Sequence, residues 1–291
     1  MRVTIWGTRG SVPSPGPETV RYGGNTSCVQ VTLGDGTILA LDAGTGIRNM
    51  GLALGEQERP ITILLTHLHM DHIQGLMFFA PAFNPASEIS IWGPEAPDAP
   101  LRDRIARYIS APLSPVEVRE LPCDVSFHEA SESDWQIGTA TVRAMSVTHR
   151  GPTLGYRITE GDNSLCYLPD HEPALGADLS RDEPQWISGF GLAQGATLLM
   201  HDGQYTDAEY ASRVGWGHSR LADALVFSRR VEPERVLLCH HDPLHSDPFL
   251  DDLGSAALQQ WTELGGEPDR LELARERQEL TVQSAHSASA W

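Results

Sequence analysis

Apolar and β-branched residues in the N-terminal part of the chain fall into short runs closed by Gly, Pro or Asp. These are RVTIWG (2–7), SCVQVTLG (27–34), TILALDAG (37–44) and ITILLTH (61–67). Runs of that make-up, with turn residues at both ends, predict β-strands. Residues 71–79 read as a helix, with Asp71 at its start, where a carboxylate suits the helix dipole. From residue 88 the pattern loosely repeats, with a strand at EISIWG, a helix at LRDRIARYIS, and strands at PVEVREL, ATVRAMSVTH, LGYRITEG and SLCYLPD. A later phase alternates strand and helix through ATLLMHDG, RLADALVFSRR, RVLLCHHD and FLDDLGSAALQQWTEL. Clustered strands with interspersed helices, in two similar halves, predict an α/β (α+β) architecture of two face-to-face sheets with helices outside. No linker-like composition divides the chain. The expectation is one domain over residues 1–283, with the small, polar segment 284–291 as a flexible tail.

Composition narrows the class. The chain has 291 residues, 40% hydrophobic and 21% charged, and no stretch approaches the roughly 18–20 apolar residues of a membrane span. The start MRVTIWGTRGS has neither a basic region nor an apolar core of a secretion signal, so a cytoplasmic protein without a membrane partner is expected. Cys28, Cys123, Cys166 and Cys239 are scattered with no CxxC pair, which argues against a zinc knuckle or a disulfide framework. With 39 acidic and 21 basic residues the formal charge is −18, which repels nucleic acid at long range and makes structured RNA or DNA an unexpected partner.

Candidate chemistry concentrates in LLTHLHMDHIQG (64–75), where His67, His69, Asp71 and His72 follow an apolar run. Imidazoles and a carboxylate at the end of a buried strand are costly to desolvate unless something binds them. Seven of the twelve histidines, His67, His69, His72, His149, His201, His240 and His241, stand where a predicted strand ends. Loops at strand ends from distant segments can converge on one point. Imidazole and carboxylate donors suit Zn²⁺, Mn²⁺ or Fe²⁺. The spacing differs from HExxH, where two histidines share one helical face, and suits two ions side by side.

THLHMDHIQG matches the HxHxDH motif, and with it the chain resembles the metallo-β-lactamase superfamily. The resemblance continues through LDAGTG with Asp42, SVTHR with His149, CYLPDHE with Asp170 and VLLCHHDP near the end. It implies an αββα sandwich with a dinuclear metal site, holding two divalent transition-metal ions, Zn or Mn or else Fe. It also implies the ligand sets: His67, His69 and His149 on one ion, Asp71, His72 and His240 on the other, with Asp170 bridging. His240 is preferred over His241 because VLLCH parallels ILLTH as a strand ending on a ligand; His241 is then a supporting or substrate group. Asp42 is expected to orient a ligand histidine.

A dinuclear centre supplies hydroxide near neutral pH and clamps the oxygens of an ester, so hydrolysis is expected. GWGHSR (215–220) resembles the His-Ser-Thr element of the superfamily's phosphodiesterase branch, whose His acts on the phosphoryl group or the leaving oxygen; Arg220 stands where that element has Thr. His218 is thus a candidate catalytic residue beside Asp71, unless it only caps the helix that follows. TVRYGGNTSCVQV and LLMHDGQYTDAEY resemble the small phosphodiesterases of that branch. Arg21, Tyr22 and Asn25 are candidates for reaching a substrate, and His201 and Asp202 for lining the pocket or orienting His218. The expected substrate is a small phosphodiester of cyclic nucleotide or cyclic ribose phosphate type. The alternative is an acyl hydrolase, lactonase or β-lactamase-like, on the same metals. A homodimer is a further expectation, and Pro94–Pro115 is read as a lid, a dimer contact or an ordinary surface helix.

Overall fold

The computed structural model describes residues 1–55 and 60–285. Among them are fourteen strands in two seven-stranded sheets. The first sheet contains β1 (Arg2–Gly7), β2 (Cys28–Thr32), β3 (Ile38–Leu41), β4 (Ile61–Leu64), β5 (Glu88–Pro94) and β6 (Asp124–Ala130) in that order, with β14 (Glu279–Thr281) outside β1. The second contains β7 (Ser133–Ile137), β8 (Ala140–Ser146), β9 (Leu154–Glu160), β10 (Asn163–Leu168), β11 (Leu198–Asp202), β12 (Arg235–Cys239) and β13 (Leu271–Leu273), also in sequence order. Each sheet begins antiparallel and turns parallel, from β3 through β6 in the first and from β10 through β13 in the second. The helices are α1 (Gly46–Leu54), α2 (Met70–Ile73), α3 (Leu101–Tyr108), α4 (Phe190–Ala193), α5 (Asp207–Tyr210), α6 (Leu221–Val231) and α7 (Asp247–Glu263).

The central strands are apolar on both faces because each is covered twice. In β3, Leu39 and Leu41 enter the core between the sheets, while Ile38 and Ala40 belong to the outer core cluster with Ile47 and Met50 of α1 and Leu101 and Ile105 of α3. In β12, Leu237 and Cys239 face the inter-sheet core, and Val236 and Leu238 face Leu225 of α6 and Leu250 and Trp261 of α7. This is the αββα sandwich. The parallel runs end on one edge, where the chain carries Asp42 after β3, His67 after β4, Asp170 after β10, Asp202 at the end of β11 and His240 after β12. Asp42 and His240 both take left-handed backbone angles, with φ of 59° and 62°. Such angles are uncommon outside glycine and tend to be retained where function requires them.

Several expectations are corrected. The helix expected over 71–79 stops at Ile73, because the Gly75 N–H donates to the Ala43 carbonyl at 2.9 Å instead of continuing the helical ladder. PVEVREL forms a single 3₁₀ turn at Val118–Glu120, not a strand. Of the segment 284–291 expected to be flexible, the two described residues are tied down: Ser284 N–H donates to Asn163 Oδ1 at 2.8 Å, and Ala285 N–H to Glu234 Oε2 at 2.9 Å. The rest of that segment lies outside the described residues. No described helix is long and apolar enough to cross a membrane. Leu39→Ala opens a cavity in the fully enclosed inter-sheet core and is expected to cost about 2–5 kcal/mol, read as a lowered urea midpoint at unchanged slope.

Candidate metal centre

Six side chains with donor atoms converge on Asp170. His67, His69, His149 and Asp170 form one group of potential ligand atoms within 4.8 Å of one another, and Asp71, His72, Asp170 and His240 form another. Asp170 belongs to both by geometry. Its Oδ2 lies 3.7 Å from His67 Nε2 and 3.6 Å from His149 Nε2, whereas its Oδ1 lies 3.0 Å from His72 Nε2 and 3.2 Å from His240 Nε2. All seven residues named from the sequence as ligands are therefore brought together, with one carboxylate oxygen turned toward each group.

The far nitrogens of four of the five clustered imidazoles are each tied to a different partner. His72 Nδ1 donates to Asp42 Oδ2 at 2.8 Å, His149 Nδ1 to the Gly217 carbonyl at 2.7 Å and His240 Nδ1 to Gln204 Oε1 at 3.0 Å. Thr66 Oγ1 donates to Asp42 at 2.9 Å and so accepts from His67 Nδ1 at 3.0 Å. With the protons on Nδ1, four Nε2 lone pairs point inward. His67 Nε2 and Asp170 Oδ1 are buried with no hydrogen-bond partner, and His72 and His240 bring their Nε2 atoms within 3.3 Å of each other. Lone pairs facing lone pairs and a buried carboxylate need a cation between them. The residues fit divalent metal ions of the imidazole- and carboxylate-binding kind.

Charge follows the same logic. Burial lowers the pKa of His67 well below its usual value, and burial lowers that of His149 to about 4, so both are neutral donors. Burial also disfavours a charged His72, but Asp170, Asp42 and Asp71 outweigh it and raise its pKa. Asp71 and Asp170 are held below the carboxylate range by the neighbouring imidazoles, against the upward push of burial. Ser11 N–H donates to Asp71 Oδ2 at 2.7 Å and fixes that carboxylate toward the cluster.

His218 stands at the margin. Its Nδ1 donates to Asp202 Oδ2 at 2.7 Å, and its ring stacks on His240 with centroids 4.9 Å apart. Burial opposes its protonation, but Asp202, then Asp170 and Asp71, raise its pKa. Asp202 is in turn held by the backbone N–H groups of His171, at 3.2 Å, and Gln204, at 2.9 Å.

Four substrate candidates are placed elsewhere. Arg21 is drawn to Asp251 of α7 at 2.9 Å, and the Asn25 amide donates to Glu276 at 3.0 Å. His201 is fully enclosed behind the site, between His171 at 3.0 Å and the Phe227 ring. His241 donates to the Ala274 carbonyl at 2.9 Å and packs edge-on against Tyr22, so His240 is the histidine that faces the cluster. Thr66, Gln204 and the Gly217 carbonyl were not singled out in the sequence; they act by single hydrogen bonds that no spacing announces. Beside His67 and His69 opens a cleft of about 690 Å³, lined by Met70, Tyr108, Leu113 and Pro152 and by the charged Arg104, Arg107, Arg150 and Asp98, the last paired with Arg107 at 3.4 Å. The segment read as a lid or dimer contact supplies part of that wall while Leu101 and Ile105 of α3 are buried beneath it.

The sequence model of the β-lactamase superfamily domain matches residues 37–241. A ribonuclease Z of Natronomonas pharaonis is 26% identical over 283 residues, spanning 82% of this chain and 86% of its own. The short form of human tRNase Z superposes with a TM-score of 0.67 at 22% identity, over 98% of this chain and 100% of the other. A diphosphatase of the PhnP family superposes with a TM-score of 0.67 at 18% identity, over 97% and 98%. The protein as purified is expected to carry about two transition-metal ions by elemental analysis, falling to about one or none in Asp170→Ala. Asp42→Asn, which loses the clean acceptor for His72 and Thr66, is expected to weaken metal retention about 10–100-fold in a chelator competition while the chain stays folded.

Proposed function

The chain belongs to the metallo-β-lactamase superfamily, and from that membership and its own site we propose a dinuclear metal-dependent phosphodiesterase acting on small phosphodiesters, of cyclic nucleotide or cyclic ribose phosphate type. His67, His69 and His149 would hold one ion, Asp71, His72 and His240 the other, and Asp170 both. Bound there, the ions supply Lewis acidity toward the phosphoryl oxygens and an activated water.

The observation that carries the phosphodiester reading is the Asp202–His218 pair. Because Nδ1 is committed to Asp202, the proton available for transfer sits on Nε2. An alkoxide leaves poorly unprotonated; as its P–O bond breaks, His218 delivers the Nε2 proton to the departing oxygen, and Asp202 stabilises the imidazolium beforehand. Asp71, fixed by the Ser11 N–H, is the carboxylate positioned to receive a proton from the attacking water. The relatives named ribonuclease Z support phosphodiester chemistry in this lineage.

Substrate size is argued from charge and space. A cleft of about 690 Å³ is of the size that takes a small ligand; of the three arginines that line it, Arg104 pairs with Glu129 at 2.9 Å and Arg107 with Asp98 at 3.4 Å, which leaves Arg150 as the cation suited to an anion. A charge of −18 opposes a long polyanion. The decisive measurement is a panel of 2′,3′- and 3′,5′-cyclic nucleotides, ribose cyclic phosphate, a linear dinucleotide, a lactone and a precursor tRNA. Turnover of the small phosphodiesters is expected; turnover confined to the lactone, or to the tRNA, would sink this reading. His218→Ala is expected to lower kcat on bis(p-nitrophenyl) phosphate ~10²–10⁴-fold with metal content unchanged. Loss of metal in that variant would make His218 a ligand instead of a proton donor.

A further inference from the structure

The tripeptide that carries Asp170 continues into His171 and Glu172, and Glu172 has no place in the chemistry so far. It is 1% exposed. Every contact of its carboxylate is with a donor: Oε1 accepts from the Gly215 N–H at 2.8 Å and the Tyr210 hydroxyl at 2.8 Å, and Oε2 accepts from the Gly217 N–H at 2.7 Å. Glu172 therefore clamps both ends of the turn Gly215–Gly217 from inside. From the other side Arg150 Nε donates to the Gly215 carbonyl at 2.9 Å.

That turn serves two masters. The Gly217 carbonyl accepts the Nδ1–H of His149, and Gly217 is joined directly to His218. Contact with the His149 ring is so close that a Cβ on Gly217 would lie 2.3 Å from Nδ1, and φ at Gly217 is +94°, so only glycine fits. The Glu172 N–H donates to the carbonyl of Thr148, the residue before His149, at 2.9 Å. Glu172 thus holds His149 from its own backbone and, through the turn, from its ring, while the same turn delivers His218.

We propose that Glu172 is a positioning residue that sets His149 and His218 together, so that the metal-facing imidazole and the proton donor keep a fixed relation across the substrate. The His218 half rests on the phosphodiesterase reading; the His149 half does not. A carboxylate is required because three donors converge on it. An amide would turn its NH₂ onto one of them and leave a buried donor unpaired.

The test is Glu172→Gln in the full chain, with Glu172→Asp, which keeps the charge and shortens the reach, as the second variant. For Gln we expect kcat on bis(p-nitrophenyl) phosphate to fall about tenfold or more at unchanged KM, with one metal ion lost about 10–100-fold more readily to a chelator. The cobalt-loaded variant should show an altered visible spectrum. Asp should show the same pattern at smaller size, and it alone carries the test if the Gln variant does not fold. Wild-type kcat, metal retention and cobalt spectrum in the folded variants would overturn the proposal, as would a lowered melting temperature with all three unchanged. A wild type without phosphodiesterase activity would defeat the functional reading alone, since metal retention and the cobalt spectrum still report on His149.

Discussion

Asp170, 2% exposed, stands between two sets of imidazoles with one oxygen for each, and the arrangement is stable only if positive charge lies on both sides of it. A buried carboxylate without such charge is penalised by several kcal/mol. Protons cannot supply all of that charge, because His67 and His149 are pushed toward the neutral form by burial and have their Nδ1 atoms engaged outward. The centre is also where the two halves of the chain meet. His67, His69, Asp71 and His72 come from the first sheet's edge, and His149, Asp170 and His240 from the second's. Whatever holds the sheets face to face therefore holds the site, and a cation held there would tie the sheets.

Orientation is distributed more widely than ligation. A side-chain carboxylate holds His72, a hydroxyl His67, an amide His240 and a backbone carbonyl His149. Asp42 reaches two of these at once, since it also accepts from Thr66, and it does so from a left-handed backbone position shared in kind by His240. Such positions cost of order 1–3 kcal/mol and persist where surrounding structure over-determines them. Here the surroundings are the parallel strand ends, which stop the chain abruptly and turn its side chains across the edge.

Much of this was legible in the sequence, and the parts that were not share a cause. The cluster at 67–72 is local, so its spacing alone announces a metal site, and Asp42, His149, Asp170 and His240 stand at strand ends visible as apolar runs. The central strands were read because they are covered on both faces and are continuously apolar. β13 and β14 are three residues each, and β6 and β7 are only partly buried, so neither length nor periodicity marked them. Arg21 and Asn25 were misplaced because their partners, Asp251 and Glu276, are 230 and 251 residues distant. Glu172 escaped notice for the same reason: its three donors lie at 210–217, and nothing at 172 indicates that the chain returns there.

On the proposed reading an acidic chain would act on an anionic substrate, and length scale reconciles the two. Screening confines exposed charge to about 8–10 Å at ordinary ionic strength. Under that reading a small phosphodiester in the cleft would meet Arg150 and the edge of the cluster at His67 and His69, with Arg107 and Asp98 paired on the wall. The net charge of −18 belongs to the whole chain, and screening weakens whatever part of it lies beyond the screening distance. A long polyanion is different: its phosphates extend beyond one screening length, and each meets the average surface instead of the cleft. On the proposed reading the net charge would thus weigh against a long polyanion more than against a small diester.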